Sequence, residues 1–97
     1  MHLRDLAGIL PVEGTATRDV EVTGISSDSR QVKPGVVFFA LAGSKADGSA
    51  YATDAAKRGA AAVVTGKGNA VAGLSVPVLS VEDPRLALAL SAARRLL

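Results

Sequence analysis

Residues 36–41, Val-Val-Phe-Phe-Ala-Leu, form an unbroken apolar run, with Pro34-Gly35 immediately before it and Gly43 two residues after it. A run of strand length with no polar alternation offers no face to water, so it reads as a central strand covered on both sides. That requirement fixes the class: other elements of the chain must form layers above and below a sheet. With Ala42 included the run is seven residues, the longest in the chain and far short of the roughly 20 that span a bilayer.

The flanking sequence supplies those elements. Leu3, Leu6, Ala7 and Leu10 fall at helical spacing and stop at Pro11, which predicts a short first helix. Val20 and Val22 alternate with polar residues and lead to Ile25, which predicts a strand over 19–25. A helix is expected over 50–58, capped by Asp47 or Ser49, with Lys57 and Arg58 in its last turn and Gly59 as a left-handed stop. Further strands are expected over 60–65 and 76–81, the latter with Pro77 at its first position or on a sheet edge. Asp83-Pro84 reads as an N-cap and first-turn proline, opening a last helix whose stripe Leu86, Leu90, Ala93 and Leu97 is expected to face the core. The expected architecture is a single α/β domain over residues 1–97, a small mixed sheet with helices packed on it. The last helix reaches Leu97 with no Gly or Pro to stop it, which suggests a chain cut from a longer one.

Composition narrows the function. Ninety-seven residues hold one domain, not a two-domain enzyme, and a 48% apolar share supports a small core. There is no Cys, which excludes a disulfide framework, a thiolate zinc site and a cysteine nucleophile. The chain reads as cytoplasmic, with no membrane segment. Eleven basic and nine acidic side chains are interspersed, and Phe38, Phe39 and Tyr51 are the only aromatics. That is no nucleic-acid stripe, although a small anionic ligand suits it.

Catalytic candidates are few. His2 is the only histidine and lies beside the terminus. Thr65-Gly66-Lys67-Gly68 comes nearest to a phosphate-cradling loop, but Gly68 stands where a magnesium-binding hydroxyl is required and Ala61 where the first glycine is. No metal-ligand spacing is present. What stands out is a pair of polar loops flanking the apolar run: Ser26-Ser27-Asp28-Ser29-Arg30 before it and Gly43-Ser44-Lys45-Ala46-Asp47-Gly48 after it. Serine hydroxyls can bond a base, ribose or phosphate, glycines let backbone amides approach an anion, and Lys45 adds charge. The same residues also have a purely structural reading, in which Asp28 and Arg30 pair, the serines bond their own backbone and the glycines serve turns.

Gly24-Ile25-Ser26-Ser27-Asp28-Ser29-Arg30, then residues 32–35 and 37–40, Gly43, Asp47-Gly48 and Gly59-Ala60-Ala61-Ala62-Val63 together resemble the amino-terminal domain of the Mur ligases. The likeness is nearest to the MurE type, which adds the third residue of the peptidoglycan stem peptide. It implies a domain that binds the UDP end of UDP-N-acetylmuramoyl-dipeptide. ATP and magnesium are then expected on a central domain and the incoming amino acid on a carboxy-terminal one, both absent from this chain. Carried over by position, Ser27, Ser29, Ser44, Lys45 and Ala46 are the implied UDP contacts, while Asp28, Arg30, Gly43, Asp47 and Gly48 support the loops. No residue here is implied as catalytic or metal-binding. Val36 replaces a usual acidic residue after Pro-Gly, and Ser49 a frequent His after Asp-Gly.

Two alternatives stand beside this expectation. One is the same domain of a MurF-type ligase, which adds D-Ala-D-Ala. The other, from a different class, is an α/β module that binds a protein partner through an apolar patch and takes no nucleotide.

Overall fold

The computed structural model describes residues 2–6, 8–10, 20–41, 48–66 and 76–96. Four strands, β1 (Gly24–Ser26), β2 (Val36–Phe39), β3 (Ala62–Gly66) and β4 (Val78–Val81), form one sheet in the order β1-β2-β3-β4. The helices are α1 (Gly48–Lys57) and α2 (Pro84–Leu96), with 3-10 turns at Leu3–Leu6 and Ser29–Gln31.

The apolar run takes the expected central place. Every residue of β2 is buried, as is every residue of β3 beside it, while β1 and β4 at the edges are only partly covered. Alternation along β2 divides the core in two. Val36 and Phe38 pack with Val32, Ala52, Ala55 and Val63 beneath α1, while Val37 and Phe39 pack with Leu3, Leu6, Val64 and Ala87 on the opposite face, beneath α2. Each large side chain buried in this way contributes roughly 1.5–3 kcal/mol.

A sheet of mixed direction was expected. All three pairings between the named strands are parallel, with Gly24 opposite Val36, Val37 opposite Ala62 and Val63 opposite Val78. The connections explain the direction, since α1 and the Ser29–Gln31 turn each carry the chain back across a face of the sheet. An antiparallel bridge does join His2 to Glu21, outside the named strands.

Three elements differ from expectation. The first helix is only the 3-10 turn Leu3–Leu6, in which i,i+3 spacing suffices to bury both leucines, and Gly8 follows at φ +94°. The strand expected over 19–25 is confined to Gly24–Ser26, because the residues before it pair elsewhere: Leu3 donates its N–H to the Val20 carbonyl at 2.8 Å, and Glu21 bridges His2. In α2 the described residues of the expected stripe, Leu86, Leu90 and Ala93, do not face the core, and Leu97 lies outside the described residues. Ala87 and Ser91 are buried, whereas Leu86 and Leu90 are 56% and 46% exposed. Leu86 and Leu90 point away from the sheet, while Leu88 is partly buried against the core.

The helix boundaries follow local chemistry. Asp83 Oδ1 accepts the N–H groups of Arg85 and Leu86, each at 3.1 Å, so Asp83-Pro84 opens α2 as an N-cap does. Gly59 ends α1 at φ +93°. Pro77 immediately precedes the edge strand β4, where its missing N–H costs no ladder bond.

Candidate functional site

Because the strands are parallel neighbours, the segments leaving β1 and β2 emerge at the same end of the sheet. Ser26 at the end of β1 lies opposite Phe38 near the end of β2. The polar loop after Ser26 therefore starts at the carboxyl edge of the sheet, the usual place for ligands in open parallel sheets, at the same end as the residues that leave β2, Ala40 and Leu41.

The first loop is tightly built. Ser26 Oγ accepts the Asp28 N–H at 3.0 Å and donates to the Asp28 carbonyl at 3.2 Å. Asp28 then caps the Ser29–Gln31 turn, accepting the Arg30 N–H at 2.9 Å. The Arg30 guanidinium closes on the same carboxylate, with Nε to Oδ1 at 3.1 Å and Nη2 to Oδ2 at 3.0 Å. These bonds to the ionised form hold the Asp28 carboxyl below its ordinary value of 3.8, the side-chain bonds from Arg30 contributing most.

Rigid backbone places the two serines differently. Ser27 is exposed, at the bend between β1 and the turn, whereas Ser29 is 6% exposed and sits where the turn packs against α1. Ser27 is thus open to solvent at this edge, whereas Ser29 is covered along the seam with α1. Of the second loop, Gly43, Ser44, Lys45, Ala46 and Asp47 lie outside the described residues. Gly48 is the first residue of α1, so the helix begins where this loop ends.

Sequence reasoning weighed Thr65 only as part of the Thr65-Gly66-Lys67-Gly68 turn and not as a buried polar group. It lies near the carboxyl end of β3, is 1% exposed, and its hydroxyl has no hydrogen-bond partner. By alternation from Val63 its side chain falls on the α1 side of the sheet. The available signal was a lone hydroxyl in an otherwise apolar strand.

Among the described residues no group of three or more His, Asp or Glu side chains converges as a metal site, and no helix is long and apolar enough to cross a membrane. His2 pairs with Glu21 at 3.0 Å, by the 3-10 turn Leu3–Leu6.

Comparison with known proteins gives a consistent picture. Residues 21–96 match the family model described as "Mur ligase family, catalytic domain". A protein of Mesorhizobium japonicum named UDP-N-acetylmuramoyl-L-alanyl-D-glutamate--2,6-diaminopimelate ligase is 83% identical over 94 residues, covering 97% of this chain and 19% of that protein. Proteins of the same name from Chelativorans sp. and Brucella melitensis are each 50% identical over 94 residues, with the same coverage. The chain thus spans 19% of the length of these relatives.

Proposed function

The chain belongs to the Mur ligase family, and from that membership we propose that residues 1–97 are the amino-terminal, UDP-recognising domain of a cytoplasmic, ATP-dependent ligase of peptidoglycan synthesis. The ligase adds diaminopimelate to UDP-N-acetylmuramoyl-L-Ala-D-Glu. The observation that carries this reading is the 83% identity, across 97% of the chain, to a protein whose name specifies that reaction. The same name favours the third-residue ligase over the type that adds D-Ala-D-Ala.

In this reading Ser27, Ser29, Ser44, Lys45 and Ala46 contact the UDP moiety. Asp28 and Arg30, with Gly43, Asp47 and Gly48, hold the two loops in place. The role is binding, although the matched family model is described as a catalytic domain. The reaction needs a carboxylate activated by phosphoryl transfer, and the residues present do not fit ATP and magnesium. Gly66-Lys67 is followed by Gly68 instead of a hydroxyl, and no acidic cluster exists among the described residues. Those steps belong to the central and carboxy-terminal domains of the longer chain.

The test is an NMR amide-shift titration of residues 1–97 with UDP, with ATP as the control. Millimolar ligand is required, because an isolated domain stripped of its sugar and peptide contacts is expected to retain about 4 kcal/mol of binding free energy, a Kd of about 1 mM. Shifts confined to 27–30 and 43–48 with UDP alone support the reading. If neither nucleotide moves those loops, the residue assignments fail and a protein-binding module becomes the better account.

A further inference from the structure

Near the carboxyl edge of the sheet the fold buries a hydroxyl and gives it no partner among the described residues. Thr65 is 1% exposed, and its Oγ1 makes no hydrogen bond. An unpaired buried hydroxyl is unfavourable, so its retention in a native fold calls for a reason. The parallel register shows where this one sits. Thr65 pairs with Ser80 of β4, and on its other side it falls one residue beyond the Phe39–Val64 pair, beside Ala40. These side chains share the α1 side of the sheet: Ala40 packs with the cluster beneath α1, whereas Leu79 and Val81, the neighbours of Ser80, pack on the opposite face. Ala40 is half-buried and Ser80 exposed, so Thr65 lies one strand spacing, about 4.8 Å, from a residue open to solvent. The other unpaired buried hydroxyl among the described residues, Ser91, lies inside α2 on the opposite face.

We infer that Thr65 is a further contact residue of the nucleotide site, its hydroxyl bonding the nucleoside part of UDP. This rests on the reading that the domain recognises UDP. Strand β3 lies two strand spacings, roughly 10 Å, from β1, so a nucleotide held at Ser27 reaches across the strand ends towards Thr65. The surroundings select the base and ribose over the phosphates. Thr65 shares its face with Phe38, Ala40 and Val63, an apolar setting in which a phosphate loses its hydration without compensation. Glu82 and Asp83 follow β4 directly and disfavour an anion at the same edge. A uracil edge carries acceptors and a donor, and a hydroxyl can answer either. Binding then supplies the bond that folding withholds, a local loss of stability kept for function.

The test measures UDP and UMP affinity by calorimetry, with a thermal melt, on the full-length protein and its Thr65→Val, Thr65→Ser and Ser91→Ala variants. Thr65→Val keeps the branched shape and is expected to weaken both nucleotides at least about tenfold while melting no lower than the parent. Thr65→Ser, which keeps the hydroxyl, and Ser91→Ala, which removes the one remote from this edge, should both bind as the parent does. Unchanged affinity in Thr65→Val overturns the inference alone, provided the parent binds UDP. A loss shared by Thr65→Ser or Ser91→Ala also overturns it, because packing and not the Thr65 hydroxyl is then responsible. So does a Thr65→Val melt below that of the parent, since the hydroxyl then has a partner in the free protein. A loss seen with UDP and not with UMP moves the contact to the terminal phosphate and overturns the nucleoside assignment. A parent protein that binds neither nucleotide at millimolar concentration removes the UDP reading, and this inference with it.

Discussion

The Arg30 guanidinium and the Arg30 backbone N–H both bond the carboxylate of Asp28, so one residue supplies three donors to an acceptor two positions earlier. The pair turns a five-residue stretch after β1 into a fixed bracket, with Ser27 left on the outside and Ser29 turned in. The charges of Asp28 and Arg30 are spent on one another within this bracket.

That arrangement has a pH signature. The Asp28 carboxyl is held below 3.8 by Arg30, and Asp5 is held below the same value chiefly by the His2 backbone N–H, which lies 2.8 Å from its Oδ2. A carboxyl depressed in the folded state contributes stability that is fully present above 3.8 and is lost as pH falls through its lower folded value. Urea midpoints between pH 5 and 2 are therefore expected to fall on the acid side of 3.8, and less steeply in Asp28→Asn. In Arg30→Ala the Asp28 carboxyl, followed by NMR, should titrate closer to 3.8. If Arg30→Ala instead abolished UDP binding with stability unchanged, Arg30 would be a ligand contact and the bracket reading would be wrong.

The two serines separate binding from folding. Ser27→Ala, at an exposed position, is expected to leave the urea midpoint unchanged and to weaken UDP binding about two- to tenfold, the loss of one hydrogen bond. Ser29→Ala, at a buried position where the turn packs against α1, should change stability as well, through packing and not through a lost hydrogen bond. Equal effects of both variants on stability would show that the difference in burial has no energetic consequence, and an unchanged UDP affinity in Ser27→Ala would remove Ser27 from the site.

Where one physical cause dominated, the sequence was readable. The unbroken run over 36–39 has no polar face, and it became a central strand; Gly59 after a basic turn became a left-handed stop; Asp83-Pro84 became a cap. Reading failed where two causes gave the same pattern. From Leu86 to Ala93 helix α2 is leucine, alanine and one serine, so hydrophobic periodicity cannot say which side meets the sheet. The structure turns Ala87 and Ser91 inward with Leu88 partly buried against the core, and leaves Leu86, Ala89, Leu90 and Ala93 exposed. Val20 and Val22 alternate as a strand does, yet their backbone neighbours are the 3-10 turn at the amino terminus and Gly35, whose carbonyl accepts the Thr23 N–H at 2.9 Å. For the candidate site, residue types singled out the stretch Ser26 to Arg30, but the bonds that fold it into a turn capped by Asp28, and the parallel register that puts the ends of β1 and β2 at one edge, depend on tertiary pairing that residue types do not encode.

Three glycines with positive φ form a graded series. Gly8→Ala, at φ +94° with nothing within 4 Å of the new Cβ, incurs the left-handed penalty alone, about 1–2 kcal/mol. At Gly59 (φ +93°) the Cβ comes 3.0 Å from the Cα of Pro34, a backbone atom that cannot swing away. Gly35 (φ +90°) is tighter still: the Cβ falls 2.7 Å from Thr23 Oγ1, which itself donates to the Pro34 carbonyl at 2.9 Å. Urea unfolding should rank Gly8→Ala as the mildest and the other two as clearly worse. A Gly8→Ala variant as damaged as Gly35→Ala would contradict the contact geometry.

The orphan hydroxyl of Thr65 gives the sharpest test of the core. A buried hydroxyl without a partner loses its water bonds and gains nothing in return, a penalty of about 1–3 kcal/mol. Thr65→Val keeps the branched shape that β3 requires and removes the polar atom, so it is expected to stabilise the domain by about 1 kcal/mol, or about 4–8 °C in Tm. Ser91→Ala should act in the same direction, because the Ser91 hydroxyl is also buried without a partner and Ala is the better helix former. Position 65 is the more informative of the two, since it lies near the carboxyl end of β3, on the side that faces α1. A Thr65→Val variant less stable than the parent would mean that the hydroxyl has a bonding partner in solution, and the packing at that end of the sheet would have to be redrawn.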